Sequence, residues 1–522
     1  MSFRFCYREN AAIPRLAWCA SITKGNDTVV VEHGPWVERA TTFFVEGAWL
    51  GDFCKGKLRD SEVLLGSGGT LNSSEVFFFP ATYPTERLHS VCNGNTLYIS
   101  NSFCYLLEVS SLQLLDDYGF YETDFFSILR GHNKAVTSVP LDRKHRVTLH
   151  YHDGIAIDRD LTQRRIPRPA PPVFTNYTGY IDYLTEIIHA IYDNATDTAR
   201  AIRYTPLSSL STGYDSPACT ALAKSIGCTE AITFIDSRHG HMEDATDIAK
   251  ALEVTLLPVK REAYFELHQY PEAEFLATGN GGDDVVYAPL STTLEKRLFI
   301  KGDFGDGLWN VTTKNVDNHR YGRSTTGGLG GSMSEFRLRV GFLNLPIPLL
   351  TMYRRPELNK ISLSNEMSKF RLGGWYDRPI PRRMAEEAGV PRQAFGTIKK
   401  AVTQPMWIAG NIPALFTETS WDDFLRFRES KIRFGPHGRD TARRMVEEVR
   451  VRLFRKIRYG TLGWYLSKTR LRSVIEMFNL DVPRPGSGTR SGREYSLVFH
   501  WAIEKTRKRY ASTGLKMISH SD

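Results

Sequence analysis

The chain has 522 residues, with 67 Lys and Arg against 58 Asp and Glu, for a net charge of +9. Its 41% hydrophobic and 24% charged residues suit packed cores and argue against a globally disordered chain. No run approaches the roughly 20 apolar residues that cross a bilayer, and the first residues lack the apolar core of a signal peptide, so a cytoplasmic protein with no membrane partner is expected.

At roughly 100–200 residues per domain, two or three domains are expected. The seven cysteines are scattered, odd in number and free of any CxxC pair. That excludes a disulfide framework and a zinc site, and predicts buried reduced thiols.

Residues 1–162 carry short β-like runs at 28–31, 76–79 and 96–100, punctuated by Gly, Asn and Asp. They predict a mostly β, sandwich-like layer, with a helical stretch at 112–129. Four prolines fall within six positions of Pro167-Arg168-Pro169-Ala170-Pro171-Pro172. Neither a helix nor a central strand accepts that, so a linker is predicted at 163–175.

Beyond it the period changes. Ile181, Leu184, Ile187, Ile188 and Ile191 recur at helical spacing within 180–201. Strand and helix signals then alternate: strand 207–210, helix 217–226, strand 231–235, helix 244–252, strand 254–259. This predicts an α/β domain over 176–420, a parallel, doubly wound sheet with helices on its faces.

From 421 to 522 a basic helical extension is expected. Asp440 is placed to cap a helix with the apolar stripe Met445, Val446, Val449, Leu453 and Ile457, closing near Gly460. The window 431–480 holds thirteen Lys and Arg against four Asp and Glu, an excess equal to the net charge of the whole chain. Such a surface attracts nucleotides, acidic substrates or nucleic acid. Residues 483–493, rich in Gly, Ser and Arg, read as mobile.

The chemistry concentrates after the strand at 207–210, in Ser211-Thr212-Gly213-Tyr214-Asp215-Ser216. Gly213 permits positive φ and close approach of a ligand. The hydroxyls of Ser211, Thr212 and Ser216 can donate to phosphate oxygens. The following helix offers free N–H groups and its positive end. Asp215 repels phosphate, so its place there makes sense if it holds Mg²⁺. No Lys follows the turn, which separates it from the GxxxxGK[ST] loop.

This turn resembles the SGGxDS pyrophosphatase loop of the asparagine synthetase family, with Thr212 at the first Gly. Other segments resemble that family in the same order. The strand at 231–235 and the acidic start of the next helix are similar to the family's second strand unit; the resemblance makes Thr233, Phe234 and Ile235 candidate adenine contacts. Gly302-Asp303-Phe304-Gly305-Asp306 looks like its G-[DE]-G-x-D segment, with Phe304 replacing the middle Gly. That implies Asp306 as a metal ligand beside Asp215, Asp303 as an acidic catalytic group, and Gly302 at the pyrophosphate. Glu335-Phe336-Arg337 resembles the opening of E-x-R-x-P-F-L-D, implying Glu335 as the group that supports proton removal from an amine. The segment 392–400 resembles the late basic segment with a catalytic Lys, Lys399 first and Lys400 second. Gly279-Asn280-Gly281-Gly282-Asp283-Asp284 is a competing acidic loop, either a substrate-amine or metal contact or a solvated turn.

The resemblance implies an ATP pyrophosphatase (HUP-like) fold, ATP and Mg²⁺, and an AMP-forming amide ligase acting on carboxylate and amine substrates. The family's N-terminal glutaminase needs Cys at position 2; Ser2 stands here, and Cys6 has no α-amine to act as its base. A degenerate glutaminase-like (Ntn-type) domain is therefore expected, similar to those of β-lactam synthetases and lasso-peptide cyclases. Two other readings stay open: an ATP pyrophosphatase that modifies tRNA through the basic 431–480 region, and a non-catalytic nucleotide-binding protein.

Overall fold

The computed structural model describes residues 2–116, 118, 121–131, 135–142, 144–238, 240–311, 331–374, 376–396, 402, 403, 406, 412–431 and 492–511. Its architecture is mixed α/β, with a β-rich N-terminal region and a parallel sheet after it.

The N-terminal region holds two sheets. One has the order β1-β3-β2-β9-β8-β11-β10, built from β1 (Arg4–Glu9), β2 (Trp18–Thr23), β3 (Thr28–His33), β8 (Leu88–Asn93), β9 (Thr96–Ser100), β10 (Ser138–Pro140) and β11 (Arg146–His150). It is antiparallel except where β1 runs parallel to β3. The other has the order β13-β12-β7-β6-β5-β4, from β4 (Glu38–Arg39), β5 (Phe43–Trp49), β6 (Leu64–Leu71), β7 (Val76–Phe79), β12 (Gly154–Ile157) and β13 (Gln163–Ile166). Alternate residues of both sheets fill one apolar layer, where Trp18 stacks on Phe78 at 5.9 Å. The runs expected at 28–31, 76–79 and 96–100 are strands of these sheets.

Three local expectations need correction. Among the described residues the helical stretch expected at 112–129 is found as Tyr121–Phe125 and a 3₁₀ turn at Phe126–Arg130, while a helix at Phe103–Val109 went unpredicted. Ser102 caps the latter by accepting from the Tyr105 N–H. Gln163–Ile166, at the start of the expected linker, pairs antiparallel with β12 as an edge strand. Its first proline, Pro167, follows the last paired residue, so proline ends this strand rather than forbidding it. Of the cysteines, Cys6, Cys54 and Cys92 are exposed rather than buried.

The third sheet is wholly parallel, with the order β16-β15-β14-β17-β18. Its strands are β14 (Thr205–Ser209), β15 (Glu230–Phe234), β16 (Thr255–Val259), β17 (Arg297–Lys301) and β18 (Leu343–Pro346). Helices Asp215–Lys224 and Thr246–Leu252 connect the first three strands, as the alternating pattern predicts. From β14 the chain moves outward to β15 and β16, then crosses to the other side of β14 for β17 and β18. The order thus reverses at β14. Ligands of open parallel sheets bind at the carboxyl ends of the strands beside such a reversal.

Buried charges join the parallel-sheet region to the β-rich region. Arg337 sends two hydrogen bonds to Glu46, at 2.7 and 3.2 Å, and lies 2.9 Å from Glu86. Burial opposes its charge, but Glu46 and Glu86 outweigh that and hold its pKa above the ordinary value. Arg200 bonds Glu38 at 2.9 Å and the Gly47 carbonyl at 2.8 Å. Helix Tyr177–Thr196, capped by Asn176, buries Tyr180, Leu184, Ile187, Ile188 and Ile191, and its Asn194 donates to the Gly51 carbonyl at 2.7 Å.

In the C-terminal part, helices Glu418–Lys431 and Gly492–Arg507 are described. The expected cap at Asp440 and its apolar stripe lie outside the described residues, as do 483–491 and all of the basic window except Lys431. Lys431 pairs with Asp116 at 2.6 Å. Among the described residues no helix is long and apolar enough to cross a membrane.

Arg337→Ala leaves Glu46 and Glu86 buried without their cation. It is expected to destabilise the protein by about 3–5 kcal/mol, read as a lowered midpoint in chemical denaturation. A loss below about 1 kcal/mol would show that this network does not hold the two regions together.

Candidate active site

The turn after β14 folds back on itself through its hydroxyls. The Ser211 N–H donates to Ser216 Oγ at 3.0 Å, and the two hydroxyls lie 2.8 Å apart. Thr212 Oγ1 donates to Glu243 at 2.5 Å, and its carbonyl accepts from the Gly396 N–H at 2.8 Å. Helix Asp215–Lys224 starts at once, with Asp215 in its first turn, where a carboxylate complements the helix dipole.

Gly213 does not use the positive φ that glycine permits. Its constraint is space: a Cβ there would lie 3.2 Å from the Tyr376 hydroxyl. Tyr214 packs among aromatic rings. It stacks on Tyr376 at 5.0 Å and packs on Phe395 at 5.2 Å.

The loop after β17 lies directly on this turn. A Cβ on Gly302 would come within 2.8 Å of the Asp215 carbonyl carbon, and one on Gly305 within 2.7 Å of the Asp215 Cβ. Asp306 stands in the first turn of Gly305–Leu308. Between them Phe304 has φ of 69°, in the left-handed region that disfavours a bulky side chain. The backbone takes a glycine-like path at Phe304 while the ring packs on Gly307. Such a conformation costs about 1–2 kcal/mol and persists where the surroundings enforce it.

Arg378, which sequence reasoning missed, closes the arrangement. It is 3% exposed and ion-paired with Asp215. Burial opposes its charge, but Asp215 and then Asp306 raise its pKa above the ordinary value, so both candidate metal carboxylates act on one guanidinium. The signal was faint: one Arg among several in Asp377-Arg378-Pro379-Ile380-Pro381-Arg382-Arg383.

Asp303 belongs to a second, deeper cluster. Lys301, the last residue of β17, is 2.7 Å from Asp303 and 3.8 Å from Asp284. Burial opposes the Lys301 charge, but Asp303, Tyr287 and Asp284 together outweigh it and raise its pKa above the ordinary value. Ser332 bonds Asp283 at 3.0 Å, and its N–H donates to Asp284 at 2.9 Å. Asp283 and Asp284 are thus buried rather than in a solvated turn. Burial, reinforced by Asp284, pushes the Asp283 carboxyl well above the usual carboxylate range. Burial likewise raises Asp303 to about 6; Lys301 works against this and Asp284 adds to it.

The candidate adenine segment ends β15. Thr233 is buried, and its hydroxyl has no hydrogen-bond partner among the described residues. Phe234 meets Tyr287 edge-on at 5.3 Å. The Ile235 N–H donates to the Val259 carbonyl, and its own carbonyl accepts from Glu243, so its backbone is already engaged.

Glu335 is placed elsewhere. Its carboxylate accepts from Ser102 at 2.7 Å and from Tyr510 at 2.6 Å, where the β-rich region meets the C-terminal helix. Burial raises its pKa, and those two hydroxyls oppose the rise. It touches neither loop by any of these bonds. Lys399 and Lys400 lie outside the described residues. In the β-rich region, Ser2 is exposed ahead of β1, an edge strand.

No protein-family model matches the chain, and no curated protein matches it.

Because the folded-state pKa of Asp303 lies above its ordinary 3.8, protonation favours the folded state. That contribution is complete below 3.8 and is lost as pH rises through about 6. An NMR titration of the Asp carboxyls is expected to place Asp303 at about 6, and Asp284→Asn to lower it. A wild-type midpoint below 4, or a rise in the variant, contradicts this electrostatic picture.

Proposed function

We propose that this chain is an ATP-dependent, AMP-forming amide ligase of the asparagine synthetase-like kind. In this reading the parallel sheet is an ATP pyrophosphatase (HUP-like) fold. The two sheets before it are a degenerate glutaminase-like domain. The observation that carries it is the meeting of the loops after β14 and β17, on adjacent strands at the reversal of strand order, with Asp215 and Asp306 facing one buried guanidinium.

The residues present fit magnesium. Asp215 and Asp306 are hard oxygen donors, and the Arg378 guanidinium, paired with Asp215 and held charged by both carboxylates, supports a place that favours positive charge. No group of three or more such ligands forms among the described residues, so phosphate oxygens and water would complete the shell. When bound, the ion would neutralise phosphate charge.

The chain's own residues bind and orient. Ser211, Thr212 and Ser216 offer hydroxyls at the phosphate turn, with Gly213 keeping the turn thin and Gly302 holding the facing loop close. Thr233 offers a hydroxyl toward the adenine side. A carboxylate oxygen of the substrate attacks the α-phosphorus, its bond to the bridging oxygen breaks, and pyrophosphate leaves. The amine nitrogen then attacks the acyl carbon, AMP departs, and the amine's extra proton passes to a base. Catalysis here is positioning and charge stabilisation. The amine is supplied by a substrate or as free ammonia, since Ser2 replaces the glutaminase nucleophile.

Screening carboxylates for AMP release, with mass detection of product, is expected to yield an amide. With that substrate, Asp306→Ala should lower ATP–pyrophosphate exchange by at least about a hundredfold. Unchanged exchange would contradict the metal role; wild-type protein that releases no AMP with any carboxylate would contradict the ligase reading.

A further inference from the structure

Two arginines stand one helical turn apart beside the phosphate turn. Arg378 precedes helix Pro379–Glu387 and bonds Asp215; Arg382 lies within it, with its guanidinium 5.9 Å from the centre of the Tyr214 ring. Both are 3% exposed. Each keeps a buried donor with no acceptor among the described residues: Arg378 Nε and Arg382 Nη1. Arg382 Nε is engaged, donating to Glu386 at 2.7 Å.

A buried guanidinium N–H without an acceptor is expensive, and such donors mark a missing partner. The partner must be anionic, rich in acceptor oxygens and able to approach Asp215 and Tyr214 together. A polyphosphate meets these conditions, because planar guanidinium forks match phosphate oxygens. Asp215 alone cannot be the final partner of Arg378 if it also serves magnesium. With the ion bound, Asp215 would hold it and the Arg378 guanidinium would be left to bind phosphate oxygens.

We propose that Arg378 and Arg382 are polyphosphate-binding residues that grip the β- and γ-phosphates of the nucleotide and the pyrophosphate product. The inference rests on the adenylation reading above. Asp215 serves as a counter-ion that holds Arg378 in place until the nucleotide arrives.

Calorimetric titration of the full chain with Mg·ATP, inorganic pyrophosphate and AMP separates the two ideas. AMP has neither the β- nor the γ-phosphate. Arg378→Gln and Arg382→Gln should each weaken Mg·ATP and pyrophosphate by about tenfold or more while leaving AMP nearly unchanged, and Arg378→Lys should fall between. If both Gln variants bind Mg·ATP and pyrophosphate like the wild type, the inference is wrong while the adenylation reading stands. An equal loss of AMP and ATP also overturns it, since that marks a structural role. Wild-type protein that binds none of the three ligands overturns the adenylation reading and this inference with it. If circular dichroism shows Arg378→Gln unfolded, Arg382→Gln decides the matter alone.

Discussion

Gly302 and Gly305 let the loop after β17 rest on the first helical turn after β14, and no side chain larger than hydrogen fits at either point without forcing the loops apart. Everything else in the candidate site follows from that contact. It sets Asp306 near Asp215, and it gives Arg378 two carboxylates to answer rather than one. Parallel pairing of β14 with β17 supplies the alignment, because Ser208 registers with Ile300 just before both loops begin. The strained Phe304 belongs to the same constraint. Its backbone takes the left-handed turn the loop needs, and its ring packs in return.

Buried charge is the second organising feature. Lys301 is enclosed with Asp303, Asp283 and Asp284, and Arg337 with Glu46 and Glu86. In a low-dielectric interior, ions persist only when paired and hydrogen-bonded, so each cluster fixes the relative position of the elements that carry it. The Lys301 cluster ties the end of β17 to the loop at 279–284. The Arg337 cluster ties the helix Ser334–Val340 to β5. Glu335, on that same helix, is satisfied by Ser102 and Tyr510 and reads as part of this interlock rather than of the loops.

Much of the parallel sheet was legible because its signals are local. Alternating apolar strands and amphipathic helices declare themselves within a dozen residues, and the expected strands at 231–235 and 254–259 match β15 and β16 to within a residue. The turn at 211–216 was visible as a short run of small residues before a helix. What stayed hidden depends on distant partners. Arg378 meets Asp215 across more than 160 positions of sequence, and no periodicity marks it. Asp283 and Asp284 read equally as a functional loop or a solvated turn until Ser332 and Lys301 close over them. The edge strand β13 hid behind its prolines, and the short helix Phe103–Val109 behind an aromatic run with strand character. At Gly213 the freedom of φ goes unused, and what marks the position is the close approach of the Tyr376 hydroxyl.

The central claim is that the loops after β14 and β17 form one nucleotide site. Hydrogen–deuterium exchange of the full chain with and without Mg·ATP tests it directly. Peptides covering 211–216 and 302–306 are expected to gain protection together, along with 233–235 at the end of β15. Protection confined to other parts of the chain, with these three segments unchanged, would contradict it.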